Sequence, residues 1–492
     1  MSVSRERVAR SLLWTGLESV GLSGLSMIAL VVFAHFLSPA EFGAASIALG
    51  IIQILNIPVE MLFHDALVQR KELSERHLDT AFTTSVCIGI GLCALCWIFG
   101  GCLARLVHDP QVASIFGWMS FSLPAMGFGS VLIARQRREL QFRLLALRTL
   151  IGRFSAAVIG IVIAATGGGV WSLVLQQVLM VALATAVLWV GAKNRPRFRF
   201  YLPELKALLA FGTFSTSVQL LYFSVQRAFM LVVGNLLGVE SAGYLNIAFR
   251  SVDMLRDLLG GAVTQLSLPL FSLIRQDHKV LQAKFADAVQ FTCALAYPVF
   301  GLLAVCSPDV VEVAYGARWT AAAPLVALMA CLTLQFFPRT FSAPMMSACG
   351  KPQYPIPAQL IQFGFVMTAV FLLPHPSLQA VAAIWAARLL LGTPVDVWML
   401  RRATGMSAAA QFKGVLNLLL VTAAMMAMLY FARILWGGWP VRLRLAAMVL
   451  LAPPVYLTLL AASNKPLCRR LLQFGMSAVR GPAAVGQNMP KP

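Results

Sequence analysis

Charge is scarce in this chain. Only 12% of its 492 residues are charged, against about 25% in a soluble globular protein. Acidic residues are scarcer still, with Asp+Glu 19 against Lys+Arg 39, and there are six His. Long polar stretches are also missing. No segment between apolar runs exceeds about 30 residues, too short to bury a core of its own. These shortages exclude an ordinary soluble enzyme and a disordered chain. The nine Cys show none of the spacing of a disulfide framework. The ten-residue alternation of a transmembrane β-barrel is absent as well.

What the chain has in quantity is apolar sequence. It is 59% hydrophobic, with a mean hydropathy of +0.79. The apolar runs recur at the roughly 20-residue length that crosses a bilayer as a helix. The reading is an all-α integral membrane protein with fourteen spans. They fall near 12–36, 42–62, 81–107, 112–134, 149–166, 170–192, 207–236, 241–272, 286–306, 321–349, 355–374, 378–400, 414–436 and 441–462. The first run is basic-flanked but too long for a signal peptide and shows no cleavage site. Pro58, Pro124, Pro269, Pro338, Pro344 and Pro394 lie inside spans and predict kinks.

The cations sort by side. With the N-terminus in the cytoplasm, Arg105, Arg318, Arg433, Arg442 and Arg444 fall outside. Arg153, Arg227, Arg250, Arg256, Arg339 and Arg388 fall within spans, and the other 28 of the 39 are inside. This asymmetry is the positive-inside pattern. It predicts both termini cytoplasmic and accounts for the net charge of +20 without nucleic acid. Residues 135–148 (RQRRELQFRLLALR) and 195–211 (RPRFRFYLPELKALLAF) interleave Arg with apolar residues. Each reads either as an interfacial segment or as the charged caps of neighbouring spans. The tail beyond Asn464 is basic, then Gly- and Pro-rich, and is expected to be disordered.

An internal repeat is visible. At an offset of 200, Leu37, Gly43, Ile47, Ala48 and Leu55 recur as Leu237, Gly243, Ile247, Ala248 and Leu255. Six spans per repeat give two halves of the same sense, with a site expected between them. The expected division is a six-helix lobe over 1–200, a second over 201–405, two further spans over 406–465 and a cytoplasmic basic tail over 466–492.

Polar residues inside spans are costly and tend to face a wet cavity or one another. On the second span Gln53, Asn56, Glu60 and His64 share one face at 100° per residue. On the eighth, Asn246, Arg250, Asp253, Arg256 and Asp257 do the same. The offset of 200 maps Gln53 onto Asp253 and Asn56 onto Arg256. The seventh span adds Ser215, Gln219, Tyr222 and Gln226 with Arg227 beside them, the tenth adds Gln335, Arg339 and Ser342, and the first carries Thr15, Glu18 and Ser19. Helix–helix hydrogen bonds and intrahelical ion pairs explain any one of these residues equally well. As a set they predict a cavity. Its six embedded Arg, with no Lys, suit phosphate or carboxylate, which guanidinium grips as a fork. Arg227, Arg250, Arg256, Arg339, Gln219, Gln226, Gln53 and Asn56 are the candidate substrate-binding residues. Glu18, Asp253 and Asp257 are the candidate ion-coupling residues.

Other motifs are present only in appearance. Cys93 and Cys96 have redox spacing but sit in an apolar span, as packing or lipid-side residues. The six His are scattered and form no metal cluster. GFGSVL (127–132) lacks the last Gly of a dinucleotide fingerprint, and Gly350–Lys351 lacks the Walker glycine. No metal, cofactor, ATP site or catalytic constellation is implied.

The chain resembles the Wzx-type polysaccharide (O-antigen) flippases, the polysaccharide transporter branch of the superfamily that also holds multidrug extruders and the lipid II flippase. The likeness rests on LSPAEFG (37–43), DALVQR (65–70), RQRRELQFR (135–143), GNLLGVESAGYLNIAFR (234–250), PLFS (269–272), YGARWTAAAPL (315–325) and ACGKP (348–352). It implies two six-helix lobes, two extra C-terminal helices and alternating access. The implied cargo is an undecaprenyl-pyrophosphate-linked oligosaccharide, flipped across the bacterial inner membrane for exopolysaccharide or lipopolysaccharide synthesis. Membrane lipids and a polysaccharide polymerase are the implied partners. Gln226 departs from the family, whose members often carry an acidic residue there. A cation-coupled multidrug antiporter on the same scaffold is the alternative, although it would favour a carboxylate-rich cavity. A membrane-embedded glycosyltransferase is a third reading, for which the longest outside loop, 307–320, offers only Asp309 and Glu312.

Overall fold

Ser38 begins the second helix with a capping box. Its hydroxyl accepts the amide of Glu41 (3.3 Å), and the Glu41 carboxylate accepts both the amide and the hydroxyl of Ser38 (2.9 and 2.8 Å). Pro39 occupies the first turn, where its missing N–H costs nothing. The computed structural model describes residues 24–70, 73–139, 141–192, 194–274, 276–351, 353–373 and 377–480. Among them the regular structure is helical.

In chain order the helices are α1 (Gly24–Phe36), α2 (Pro39–Met61), α3 (His64–Gln69), α4 (Glu75–Leu106), α5 (Gln111–Met119), α6 (Ser122–Arg138), α7 (Phe142–Ala165) and α8 (Trp171–Gly191). Then come α9 (Leu202–Leu273), α10 (His278–Tyr315), α11 (Ala323–Thr333), α12 (Ser342–Ala348), α13 (Ile356–Phe371), α14 (Leu378–Thr404), α15 (Ala408–Gln411), α16 (Val415–Leu435), α17 (Val441–Ser463) and α18 (Lys465–Arg480). Among the described residues, eleven helices are long and apolar enough to cross a membrane, with two shorter apolar ones, α1 and α13.

α9 is broken once, at Gly238, where φ is +82°. Only glycine enters that region without strain. Span ten is likewise interrupted: Pro338 sits in a 3₁₀ turn, Phe337–Arg339, that separates α11 from α12.

Faces of individual helices follow the bilayer. On α4, Gly89, Cys93, Cys96, Gly100 and Leu103 are buried, while Ile90, Leu95, Trp97, Ile98 and Phe99 are exposed. The small residues thus form the packing stripe, which settles Cys93 and Cys96 as packing residues.

The chain divides into two compact units, Met1–Ile247 with Val370–Val381, and Ala248–Ala369 with Ala382–Pro492. In the first, α4 packs against α5 and α6, α2 against α5 and α6, and α7 against α8. A core of Phe63, Phe82, Val131 and Leu208, with Phe128 and Trp189 around it, closes one end. In the second, α10 is the hub on which α11, α16 and α17 pack, and its Phe285, Tyr297 and Phe300 are fully buried.

Two expectations change. The tail after Asn464 is helical as far as Arg480, because Leu467, Cys468 and Leu471 recur at helical spacing. Asn464 caps this helix by accepting the amide of Leu467 (3.2 Å), and Leu467 and Cys468 are buried. Residues 481–492 lie outside the described residues. The expected loop at 307–320 is mostly the end of α10, which carries Pro308 within it. Residues 135–138 are the end of α6 and residues 142–148 the start of α7. Arg138 donates to the carbonyls of Leu67 (3.0 Å) and Arg70 (2.5 Å), satisfying groups that the end of α3 leaves open.

Candidate translocation site

The polar face of α2 is half-buried at Gln53, Asn56 and Glu60, and His64, at the start of α3, is buried. The Asn56 carbonyl oxygen is shielded from solvent and has no hydrogen-bond partner among the described residues. His64 is held at both ring nitrogens, Nδ1 by Asp65 (3.0 Å) and Nε2 by Arg137 (3.2 Å). Arg227, on α9, runs its aliphatic stem past α2. A Cβ on Gly50 would sit 3.5 Å from Arg227 Cδ. Gly50 is one turn from Gln53, so the arginine lies alongside the polar face of α2. Arg227 and Gln226 are both half-buried.

Beyond the break, α9 carries the second polar face. Asn246 is buried, Arg250 and Asp253 are half-buried, and Asp257 is exposed. Arg256 is the centre of a cluster. Its guanidinium is 3.0 Å from the Asp253 carboxylate and 3.9 Å from that of Asp257, and it stacks 4.7 Å over the Phe336 ring. Two carboxylates thus flank one guanidinium. Arg256 is therefore engaged in a charged network, whereas the charge count of the sequence treated it as surplus cation.

Arg339 is committed elsewhere. It forms an ion pair with Asp396 on α14. It also donates from Nη1 to the Leu389 carbonyl and to the Thr393 hydroxyl (both 3.1 Å). Both charged side chains are nearly buried, at 12% and 11% exposure. An arginine so enclosed braces α14 against the broken tenth span.

Glu18 lies outside the described residues, and Gln219 lies outside the described side chains. The remaining candidates separate into two groups: Gln53, Asn56, Gln226 and Arg227 in the first compact unit, and Arg250, Asp253, Arg256 and Asp257 in the second.

Sequence reasoning missed one further cluster. Asp309, at 1% exposure, is held by Arg433 at 2.8 Å and by Arg444. Its only signal was an acid and two arginines at outside positions. Among the described residues no three His, Cys, Asp or Glu side chains converge as a metal site.

The family model for polysaccharide biosynthesis proteins matches residues 32–324, more than half of the chain. The chain belongs to that family. Among curated relatives, the succinoglycan biosynthesis transport protein ExoT of Rhizobium meliloti is 27% identical over 330 residues, 67% of each chain. The lipopolysaccharide biosynthesis protein WzxC of Escherichia coli is 23% identical over 331 residues, 66% of each. Among solved structures, the lipid II flippase MurJ in an inward closed conformation overlays with a TM-score of 0.77 at 15% identity, covering 93% of this chain and 99% of that one. The family member described here therefore has an all-α, multi-spanning fold like that of the lipid II flippase. It is a multi-pass membrane protein of polysaccharide biosynthesis.

Proposed function

We propose that this protein is a Wzx-type flippase of the bacterial inner membrane. It carries undecaprenyl-pyrophosphate-linked oligosaccharide units from the cytoplasmic to the outer leaflet by alternating access. The reading includes fourteen spans, two six-helix lobes in parallel repeat and both termini in the cytoplasm. The observation that carries it is the matched pair of polar faces, on α2 and on the second half of α9, at positions related by the offset of 200. Such faces in hydrocarbon are retained for a polar passenger.

In this mechanism Arg227 and Arg250 grip the pyrophosphate, and Gln53, Asn56, Gln219 and Gln226 hydrogen-bond the sugars. The polyprenyl tail stays in lipid. Arg256 with Asp253 and Asp257 forms a rearrangeable ion cluster, and Glu18 is a separate candidate coupling residue. An inside-negative potential favours outward movement of an anion by about 2.3 kcal/mol per charge per 100 mV, so the charge of the cargo itself contributes to export.

Deletion in the native host, followed by analysis of lipid-linked oligosaccharide in each leaflet, tests the proposal. The flippase predicts build-up on the cytoplasmic side. A normal leaflet distribution, with loss of resistance to organic cations, would replace it by the antiporter.

A further inference from the structure

The segment leading into α9, residues 194–201, has its backbone tied down. The Arg197 amide donates to the buried Asp79 carboxylate (2.8 Å), the Tyr201 amide to the Thr80 hydroxyl (3.2 Å), and the Thr83 hydroxyl to the Arg199 carbonyl (3.0 Å). The Arg199 amide closes a tight γ-turn on the Arg197 carbonyl (2.9 Å). All the α4 partners lie in its first three turns, so the segment is a strap fastened across the start of that helix.

With the backbone fixed inward, side chains are left outward. Arg195, Arg197 and Arg199 are exposed, with Phe198 at 64% and Phe200 at 53%. The Phe198 ring is rooted on Phe82, centroids 4.9 Å apart. Arg195 lies 6.0 Å from the Trp189 ring, and Arg76 stacks 5.3 Å over Tyr201. Among the described residues, none of the strap's three arginines meets a carboxylate within ion-pair distance. Asp79 is turned to a backbone amide instead.

We infer that the strap is a binding surface for anionic phospholipid headgroups of the cytoplasmic leaflet. The segment connects the ends of two apolar helices and so lies at headgroup depth. Exposed phenyl rings beside unpaired guanidiniums match a layer in which phosphates overlie acyl chains. Guanidinium holds a phosphodiester through paired N–H groups, and a strap with its backbone already satisfied presents these donors without further ordering. This surface is separate from the residues assigned to cargo, and its test does not depend on transport.

The full-length protein is purified into nanodiscs of equal parts phosphatidylcholine and phosphatidylglycerol, and the lipids it retains are counted by native mass spectrometry. The wild type is expected to retain phosphatidylglycerol preferentially and to lose that preference as ionic strength rises. Arg195→Gln with Arg197→Gln and Arg199→Gln is expected to lower retention about a hundredfold, whereas the three Arg→Lys changes largely keep it. An unchanged preference in the Gln variant overturns the inference. If that variant does not fold, a wild-type preference absent from the start, or insensitive to salt, overturns it equally.

Discussion

Gly43 and Gly243 meet reciprocally. A Cβ on Gly43 would strike the carbonyl of Val239 and lie 2.8 Å from the Gly243 amide nitrogen. A Cβ on Gly243 would strike the carbonyl of Pro39 and lie 3.2 Å from the Gly43 amide nitrogen. Pro39 and Val239 are themselves 200 residues apart. The contact is therefore isologous within one chain, the pattern that two-fold related surfaces produce. The two turns are built differently, by a capping box at Ser38 and by a left-handed glycine at Gly238, yet they deliver the same approach.

Because the atoms in the way are backbone, neither glycine tolerates a methyl group. Gly43→Ala and Gly243→Ala are each expected to destabilise the protein by about 1–3 kcal/mol, as overpacking does. The measurement is thermal unfolding in detergent. Equal effects that fail to add in the double variant would match a single shared contact, and a neutral result for either would exclude it.

Gly50 behaves differently, since its neighbour is the flexible stem of Arg227 at ordinary contact distance. Gly50→Ala is expected to be neutral, or to gain up to about 1 kcal/mol from helix propensity. Gly50→Leu displaces the Arg227 stem and is expected to abolish polymer export while the protein remains folded. Export is read from cell-surface polysaccharide, and folding from size-exclusion chromatography.

Removing Asp309 strands two guanidiniums. Asp309→Ala is expected to cost about 3–5 kcal/mol, the usual result of breaking a buried ion pair on one side. Arg433→Met should cost less, because Arg444 remains on the carboxylate. Melting temperatures of the two variants, compared with that of the wild type, give the ordering.

Arg339 and Arg227 should separate by phenotype. Arg339→Ala leaves Asp396 buried without its partner and is expected to reduce the amount of folded protein, with partial rescue by Asp396→Leu. Arg227→Ala is expected to leave folding intact and stop export. If Arg339→Ala expresses and melts normally but does not export, the bracing role fails.

Helices were the most legible part of the sequence. The apolar run read at 42–62 is Pro39–Met61, and that at 441–462 is Val441–Ser463, because the bilayer fixes span length and every backbone group must be satisfied within the span. The repeat glycines were visible as a pattern, but their mutual contact was not, since a constant offset says nothing of what touches what. Ion pairing was hidden for the same reason. Arg433 and Arg444 lie 124 and 135 residues from Asp309, and local spacing carries no signal over such intervals. The stretch read as a loop at 307–320 is helical as far as Tyr315, kept so by packing among α10, α16 and α17. The polar faces of α2 and α9 followed from the 100° period. The stacking of Arg256 on Phe336 did not, because it joins α9 to the broken tenth span.

The Asp309 clamp has a mechanical corollary. Through Arg433 on α16 and Arg444 on α17 it fastens α10 to the two helices that flank the short aromatic bend at 436–440, where Trp436 and Trp439 stack with centroids 5.3 Å apart. Whatever swings α10 must drag that bend along like a trailer on a hitch. An antibody fragment that seizes the bend would therefore act as a brake on a helix it never touches.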